Sequence, residues 1–468
     1  MRKSIFSTSN ISLEHYDNKL KQIKSVELDL SSNNARRTYE FIIELNNTLF
    51  LYSSFKNQKD KKNYLFVQTI NKTNLKLNDD LKKIAEIDYS NNSKNNAGNY
   101  NFKLSRKKSK VLIYYNLPFD KKENERFGLH VFDSKMNQLW EKEIILPYEE
   151  KLFSVEDYDV DSNGNVHLLG IVYDEKVKVS RKGKPNYKYH ILSYHNSGND
   201  LREYTANIGG KFLTDMQIAI NDNNDIICAG FYSNEGTVSI MGSYFLKIDF
   251  KTREVITKSF KEFDLDFITQ NFTERQEERA KKRADKGHNV EMYQFDLDDI
   301  ILKDDGGAVL IGEQYYVRTV TTQTGNGTTT TTYNYFFNDI IAVSMNPDGS
   351  IDWAKKIPKR QITSNDGGFY SSYYLAVYKD RLNFIFNDNI RNISDPDPTR
   401  VWPFTGRKGI VVMVELNSRG EMTKQPLFAS KEMGTIIRPV VAEQISQNEV
   451  ILFGQWKKNQ RFARVLFK

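Results

Sequence analysis

One sequence pattern of strands and turns is repeated along this chain of 468 residues and limits what it can fold into. An alternating strand and a tight polar turn precede a strongly apolar strand, a connection, another apolar strand, a second turn and a more polar strand. The pattern recurs every ~55 to 80 residues, which indicates a repeat architecture. The second strands are the clearest members, at Thr48–Ser53, Val111–Tyr115, Val166–Tyr173, Ile226–Phe231, Ala308–Glu313, Leu382–Phe386 and Val450–Trp456.

Turn-forming residues stand before most of these second strands, as in Asn46-Asn47 and Asn163-Gly164. Such residues tolerate the positive φ that hairpin turns need. Four strands repeated at this spacing are typical of propeller blades and not of a two-sheet sandwich. We therefore predict an all-β fold, a single β-propeller of about seven four-stranded blades, with one short helical insertion and one long β-hairpin insertion.

The predicted domain spans residues 1–468. Its blades begin near residues 39, 100, 153, 213, 295, 372 and 438. The last repeat supplies three strands, so we expect an N-terminal strand within residues 11–29 to close the ring beside Phe462–Phe467. Pairing of this kind would hide two exposed sheet edges.

The composition excludes several classes of protein. The net charge of +7 comes from 67 basic and 60 acidic residues without a concentrated basic stripe, so we expect no nucleic-acid partner. No apolar run approaches the roughly 18 residues of a membrane span. The single cysteine, Cys228, excludes an intramolecular disulfide. The first ten residues contain no apolar segment of a signal peptide.

Two segments carry a family resemblance: Gly128–Ile144 (GLHVFDSKMNQLWEKEI) and Asp339–Ile357 (DIIAVSMNPDGSIDWAKKI). Each has an apolar strand, a turn, a tryptophan and a basic strand. They resemble quinoprotein-type propeller repeats and the related repeats of exported bacterial propellers. The resemblance implies a propeller fold and an exported protein, in the periplasm or at the cell surface. Quinone enzymes of this superfamily often contain a vicinal disulfide, which one cysteine cannot form, so we expect no quinone cofactor.

Connection lengths differ between the two faces of the predicted propeller. Connections that follow second strands, or that join blades, leave from one side, which we call the insertion-bearing face. It carries the long segments Leu117–Arg126, Asp174–Lys188, Phe263–Phe295, Val317–Asn338 and Asn387–Lys408. Long connections carry function more often than tight turns. We therefore expect a non-enzymatic binding or scaffold propeller that holds a protein, peptide or glycan partner on this face.

Three of these insertions have distinct characters. Phe272–Gly287 predicts a helix that either decorates the surface or docks a partner. Thr319–Tyr333, around Gly325-Asn326-Gly327, predicts a protruding two-stranded ribbon, with an irregular loop as the alternative. Trp402 and Phe404 either stack on a partner or fix their own connection.

A polar cluster is expected where Lys359, Arg360 and Gln361 approach the end of an apolar strand. That strand ends in Asn387-Asp388-Asn389, unlike the other second strands. The cluster either binds a polar ligand or a carboxylate of a partner, or forms a hydrogen-bonded structural corner.

No nucleophile elbow, P-loop or metal-binding histidine spacing appears in the sequence. Carboxylates gather at the starts of first strands, among them Asp215 and Asp298. They predict a cation site, for which Ca²⁺ is the expected ion, or simply a solvated edge. The alternative function is therefore a hydrolase or lyase that uses carboxylates at the mouth of the central channel.

Overall fold

The expected strands form and pair in the order of the sequence. The computed structural model describes residues 11–32, 35–90, 96–117, 123–175, 180–181, 183–206, 209–323, 327 and 329–468. The chain divides into two compact units. Unit 1 holds residues 1–179, 186–207 and 220–224, and unit 2 holds residues 180–185, 208–219 and 225–468. The first ten residues, on which the signal-peptide expectation rests, lie outside the described part.

The described residues between 11 and 206 form eighteen strands. They are β1 (Ser12–Tyr16), β2 (Gln22–Glu27), β3 (Ser31–Ser32), β4 (Ala35–Arg36), β5 (Thr38–Leu45), β6 (Thr48–Asn57), β7 (Lys62–Ile70), β8 (Lys82–Asp88), β9 (Asn101–Leu104), β10 (Lys110–Asn116), β11 (Asn124–Asp133), β12 (Gln138–Glu149), β13 (Phe153–Val160), β14 (Val166–Tyr173), β15 (Ser180–Arg181), β16 (Lys184–Pro185), β17 (Tyr187–His195) and β18 (Asp200–Ala206). Three four-stranded antiparallel sheets form in unit 1: A (β5–β6–β7–β8), B (β9–β10–β11–β12) and C (β13–β14–β17–β18).

The described residues from 209 onward supply nineteen more strands and four short helices. They are β19 (Phe212–Ile220), β20 (Ile226–Ser233), β21 (Ser239–Ile240), β22 (Gly242–Ile248), β23 (Val255–Glu262), α1 (Leu265–Thr269), α2 (Glu274–Ala284), β24 (Met292–Tyr293), β25 (Phe295–Leu302), β26 (Ala308–Gln323), β27 (Thr329–Met345), β28 (Ile351–Ile357), β29 (Gln361–Ser364), β30 (Tyr374–Tyr378), β31 (Arg381–Asp388), α3 (Arg391–Ser394), β32 (Ile410–Leu416), β33 (Met422–Ala429), α4 (Ser430–Met433), β34 (Ile436–Ile437), β35 (Glu443–Ser446), β36 (Glu449–Trp456) and β37 (Asn459–Leu466).

Four sheets of unit 2 follow the same plan: D (β19–β20–β22–β23), E (β25–β26–β27–β28, with β29 beside β27), F (β30–β31–β32–β33) and G (β34–β37). In sheet G, β36 pairs with β37 and with both β34 and β35, whose intervening residues form a 3₁₀ turn at Pro439–Val441. Sheet G is therefore three strands wide, with an interrupted first strand.

The N-terminal segment forms local pairs, and its closure of a ring beside Phe462–Phe467 stays a prediction. Strands β1 and β2 pair with each other, Ser12 opposite Glu27, and form a two-stranded sheet of their own. Leu28 and Leu30 then pack on apolar residues of sheet A. Burial of these leucines anchors the segment on sheet A. Closure of a ring, and the number of blades in it, remain predictions.

Apolar side chains fill the space between consecutive sheets. In unit 1, one core lies between sheets A and B and another between B and C. In unit 2, separate cores lie between D and E, E and F, and F and G. Sheets that bury both faces need apolar residues at successive positions, which explains the continuous apolar runs of the second strands. Face-to-face packing of successive four-stranded sheets is the arrangement expected of propeller blades.

The tryptophans of the two quoted repeats contact turns of the following sheet. Trp140 on β12 donates from Nε1 to the Gly164 carbonyl at 2.9 Å, and its ring covers Gly198 in the β17–β18 turn. Trp353 on β28 donates to the Ser418 carbonyl at 2.9 Å and covers Gly420 in the β32–β33 turn. Each fourth-strand tryptophan thus holds a turn glycine of the following sheet, a contact that we call the tryptophan clasp.

Two insertions form as predicted. Helix α2 occupies the core of the predicted helical segment, and Gly287 has the positive φ of +74° expected of a helix stop. Strands β26 and β27 stay paired from Tyr315 opposite Phe337 out to Gln323 opposite Thr329, which forms the ribbon. Its tip, with Gly325 and Asn326 of the predicted turn, lies outside the described residues. In the described part of the chain, no helix has both the length and the apolar character needed to cross a membrane.

Candidate partner-binding surface

The predicted polar cluster forms, and most of it is buried. Lys359 is 1% exposed, and its Nζ lies 2.6 Å from Oε1 of the equally buried Glu313. The same ammonium donates to the Phe337 carbonyl at 2.9 Å and to Gln361 Oε1 at 3.2 Å. The charge of Lys359 is therefore satisfied inside sheet E.

The amides of Gln361 and Asn387 connect three segments of unit 2. Gln361 accepts from the Ser372 amide at 2.7 Å and donates to the Asn387 carbonyl at 2.8 Å. Asn387 Nδ2 donates to the carbonyls of Tyr370 and Ile437, at 2.9 and 2.8 Å. One side chain on β31 thus joins the connection before β30 to strand β34.

Asp388 and Asn389 fix the long connection that follows β31. The Asp388 carboxylate lies 2.6 Å from Lys424 Nζ and accepts from Asn392 Nδ2 at 2.7 Å. Asn389 Nδ2 donates to the Pro403 carbonyl at 2.7 Å. All of these groups bond to other parts of the same unit.

This burial corrects the binding interpretation for five of the expected residues and supports the structural-corner alternative. Their side chains are at most 6% exposed and offer no surface to a partner; they are Lys359, Gln361, Asn387, Asp388 and Asn389. Arg360 is exposed, and its carbonyl accepts from the Phe404 amide at 2.9 Å.

The two expected aromatic residues are half-buried and help to hold their own connection. The Trp402 amide donates to Asn392 Oδ1 at 2.8 Å, and the Phe404 ring packs against Gly409. The guanidinium groups of Arg391 and Arg400 lie 4.7 and 4.5 Å from the centre of the Trp402 ring. Trp402 therefore combines a structural role with a cationic, partly exposed surface.

A second cluster of aromatic and arginine side chains was not expected from the sequence. Phe369 contacts Tyr370 at 4.9 Å between ring centres, and Tyr370 contacts Trp456 at 6.4 Å. Arg438 lies 3.8 Å from the centre of Phe369, and Arg407 lies 5.7 Å from that of Trp456. Three rings thus lie between two guanidinium groups, and we call this group the arginine–aromatic row.

The buried polar cluster positions the row. Asn387 donates to the carbonyl of Tyr370, a member of the row, and to that of Ile437, the neighbour of Arg438. Arg407 comes from the connection after β31, and Trp456 ends β36. The row therefore combines four separate connections of the insertion-bearing face, and buried hydrogen bonds fix two of them.

Arginines stacked on aromatic rings are confined to this face in the described part of the chain. They are Arg318 on Phe336, Arg391 and Arg400 on Trp402, Arg407 on Trp456, and Arg438 on Phe369. None of the five lies within 4.0 Å of a carboxylate among the described residues, whereas Arg381 pairs with Glu415 at 2.6 Å. Each has a guanidinium charge without a carboxylate partner.

The two carboxylates expected to bind a cation lie on the first strands of two consecutive sheets, D and E. Asp215 Oδ2 accepts from the Leu297 amide at 2.8 Å, and Asp298 is the extra residue of a β-bulge in β25. Tyr373 donates to Asp298 Oδ2 at 2.6 Å. Among the described residues, no three His, Cys, Asp or Glu side chains group as metal ligands. A Ca²⁺ site at Asp215 and Asp298 remains a prediction.

Asp298 is an exposed residue, but its carboxylate lies among protein groups, beside the Tyr373 hydroxyl and near Glu313 and Asp296. Burial raises the pKa of Asp298 to about 7, and the nearby carboxylates of Glu313 and Asp296 contribute. The Tyr373 hydroxyl opposes this shift, because its hydrogen bond favours the charged form.

Stability should consequently depend on the protonation of Asp298. The folded protein retains this proton up to a higher pH than the unfolded chain, so the contribution of Asp298 to stability falls between about pH 4 and pH 7. Asp298→Asn should match the wild type near pH 4 and melt at a higher temperature at pH 8. Tyr373→Phe should extend the fall to higher pH. An equal effect of Asp298→Asn at both pH values would contradict this assignment.

A buried polar group in sheet C resembles a catalytic triad only in composition. His167 Nδ1 lies 3.0 Å from Ser193 Oγ, and His167 Nε2 lies 3.9 Å from Asp161 Oδ2. All three side chains are at most 1% exposed, so a substrate cannot reach them. Their contacts join β14 to β17 and to the preceding turn.

No protein-family model matches the chain, and no curated protein matches it. Similar solved structures include the WD40 domain of SCAP from fission yeast, at 10% identity and a TM-score of 0.41, covering 97% of this chain and 90% of that one. The β-propeller domain of the Trilobed protease from Pyrococcus furiosus has 9% identity and a TM-score of 0.36, and the match covers 92% of this chain and 94% of that one. A protein of unknown function from Bacteroides caccae has 10% identity and a TM-score of 0.29, and the match covers 73% of this chain and 87% of that one. None of these similarities carries an argument about function.

Proposed function

We propose that this protein is a non-enzymatic binding propeller that holds a protein, peptide or glycan partner on its insertion-bearing face. The arginine–aromatic row is the observation that supports this most directly. Tyrosine, tryptophan and arginine are the residues that most often dominate binding energies, especially where they are packed together and partly shielded from water. The row has this composition, and its rings are half-buried.

The distribution of tryptophan supports the same face. The chain has four tryptophans. Trp140 and Trp353 form the clasps and donate to turn carbonyls of the next sheet. Trp402 and Trp456 instead carry stacked arginines on the insertion-bearing face. Two tryptophans thus have a packing role, and two are available to a partner.

The test removes the ring at the centre and the ring at the end of the row. Wild-type protein and the Tyr370→Ala/Trp456→Ala variant are each immobilised. The proteins and glycans that each of them retains from an extract of the native cell are then compared. We expect the variant to keep its melting temperature and to lose binding by about 30-fold or more, since a single hot-spot residue contributes roughly 2 kcal/mol.

The matched control lies on the opposite face. Asp348→Ala changes the exposed turn between β27 and β28 and should retain the partner at the wild-type level. If the double variant in the row still retains the partner but Asp348→Ala loses it, the partner binds on the opposite face and the proposal is wrong.

A hydrolase or lyase remains the second candidate because of the raised pKa of Asp298. A carboxyl group with a pKa of about 7 is suited to general acid–base catalysis near neutral pH. The buried ion pair of Glu313 with Lys359 leaves that carboxylate engaged, whereas Asp296 is a second carboxylate close enough to Asp298 to raise its pKa.

A further inference from the structure

The arginine–aromatic row has a charge pattern that identifies the chemistry of its ligand. Arg407 and Arg438 lie at its two ends, and neither forms an ion pair within the described residues. The Nε–H of Arg438 is buried and donates to no hydrogen-bond acceptor among the described residues. Two guanidinium groups with unused donors therefore flank an aromatic centre.

Stacking leaves the donors of each guanidinium available. When a guanidinium packs on an aromatic face, its N–H groups point outward in its own plane, where they match the two oxygens of a carboxylate. The rings hold the guanidiniums in place, so less side-chain entropy is lost when an anion binds. Both ends of the row are thus prepared for carboxylates.

The ring geometry favours a peptide over a glycan. Phe369 and Tyr370 meet at 85° between their planes, and Tyr370 and Trp456 at 38°. Successive sugar rings would need aromatic faces in a common plane. Tilted rings instead present both edges and faces, which suits one apolar side chain of a peptide.

We propose that the row binds an acidic peptide segment in which carboxylate side chains flank an apolar residue. The carboxylates pair with Arg407 and Arg438, and the apolar side chain contacts Tyr370 and Trp456. This proposal rests on the proposed function, since it names the partner class for the same surface.

The experiment uses a fluorescein-labelled peptide with two glutamates on each side of a leucine-phenylalanine-leucine centre. Its binding to the full chain is measured by fluorescence polarisation, next to an otherwise identical peptide with glutamines. We expect only the acidic peptide to bind, and we expect Arg407→Gln/Arg438→Gln to weaken it by roughly tenfold or more, as the loss of charged hydrogen bonds implies.

A matched variant separates the site from general electrostatics. Arg275→Gln/Arg279→Gln removes the same charge from α2, where both arginines are exposed. It should leave the affinity within about twofold, because exposed charges at a distance are screened by salt. Equal weakening in both variants would overturn the proposal. So would tighter binding of a uronate oligosaccharide or an oligonucleotide of equal charge.

The two proposals fail in different ways. If capture of the native partner depends on Tyr370 and Trp456 but the acidic and neutral peptides bind equally, the acidic class is wrong and the binding function stands. If the native partner is captured without these rings, the proposed binding face itself fails, whatever the peptides do.

Discussion

Lys359→Met should lower the free energy of unfolding by about 3–5 kcal/mol, because it leaves the carboxylate of Glu313 buried without its counter-charge. The two side chains are almost fully buried and 2.6 Å apart. The substitution also removes donors to the Phe337 carbonyl and to Gln361. Urea denaturation at pH 7.5, followed by tryptophan fluorescence, measures the change.

Two further variants test whether the ion pair itself causes this loss. Lys359→Met/Glu313→Leu removes both charges and should restore most of the stability, since an apolar pair of similar volume needs no counter-charge. Arg419→Met breaks the exposed pair between Arg419 and Glu421 and should change the free energy of unfolding far less, because exposed ion pairs contribute little. If Lys359→Met costs no more than Arg419→Met, the buried pair does not stabilise unit 2.

Gly420→Ala should destabilise the protein by about 3 kcal/mol or more, far beyond the usual cost of alanine at positive φ. A Cβ at this position would lie 2.7 Å from the indole of Trp353, so the ring must move and give up its hydrogen bond to Ser418. The effect is measured as a change in the urea midpoint and slope.

Gly434 provides a nearly ideal control because the two glycines have the same backbone conformation. Their φ angles are +74° and +73°, but a Cβ at Gly434 would meet nothing within 4 Å. Gly434→Ala should therefore cost only about 1–2 kcal/mol. In a Trp353→Ala background, Gly420→Ala should cost no more than Gly434→Ala. Equal costs in the wild-type background would show that the clasp adds nothing.

The repeated strands could be predicted because each one carries its own signal. Ala308–Glu313 and Ile410–Leu416 are apolar runs bounded by turn residues, and both became central strands. The ribbon and α2 were also predictable, since threonine alternation and a capping pattern act over a few neighbouring residues. Local preferences and the global fold agree at these positions.

The arginine–aromatic row could not be predicted in the same way. Its residues come from connections spread between Phe369 and Trp456, and no local pattern relates them. The polar cluster was predicted from the unusual end of β31, yet its burial was not, because amide and carboxylate side chains are usually exposed. Burial was decided by partners such as Tyr370 and Ile437, whose carbonyls the sequence cannot place.

The tryptophan clasp has a consequence for synthesis on the ribosome. Trp353 and Gly420 are separated by 67 positions, and Trp140 and Gly198 by 58. At roughly 5–20 residues per second, about 3–13 seconds pass between the emergence of an indole and that of the glycine that receives it. During that interval, the outer strand of a nearly complete sheet presents an uncovered aromatic ring to chaperones and to other nascent chains. Slow codons between residues 353 and 420 would lengthen this exposure, so the yield of folded protein should depend on the translation rate of that segment.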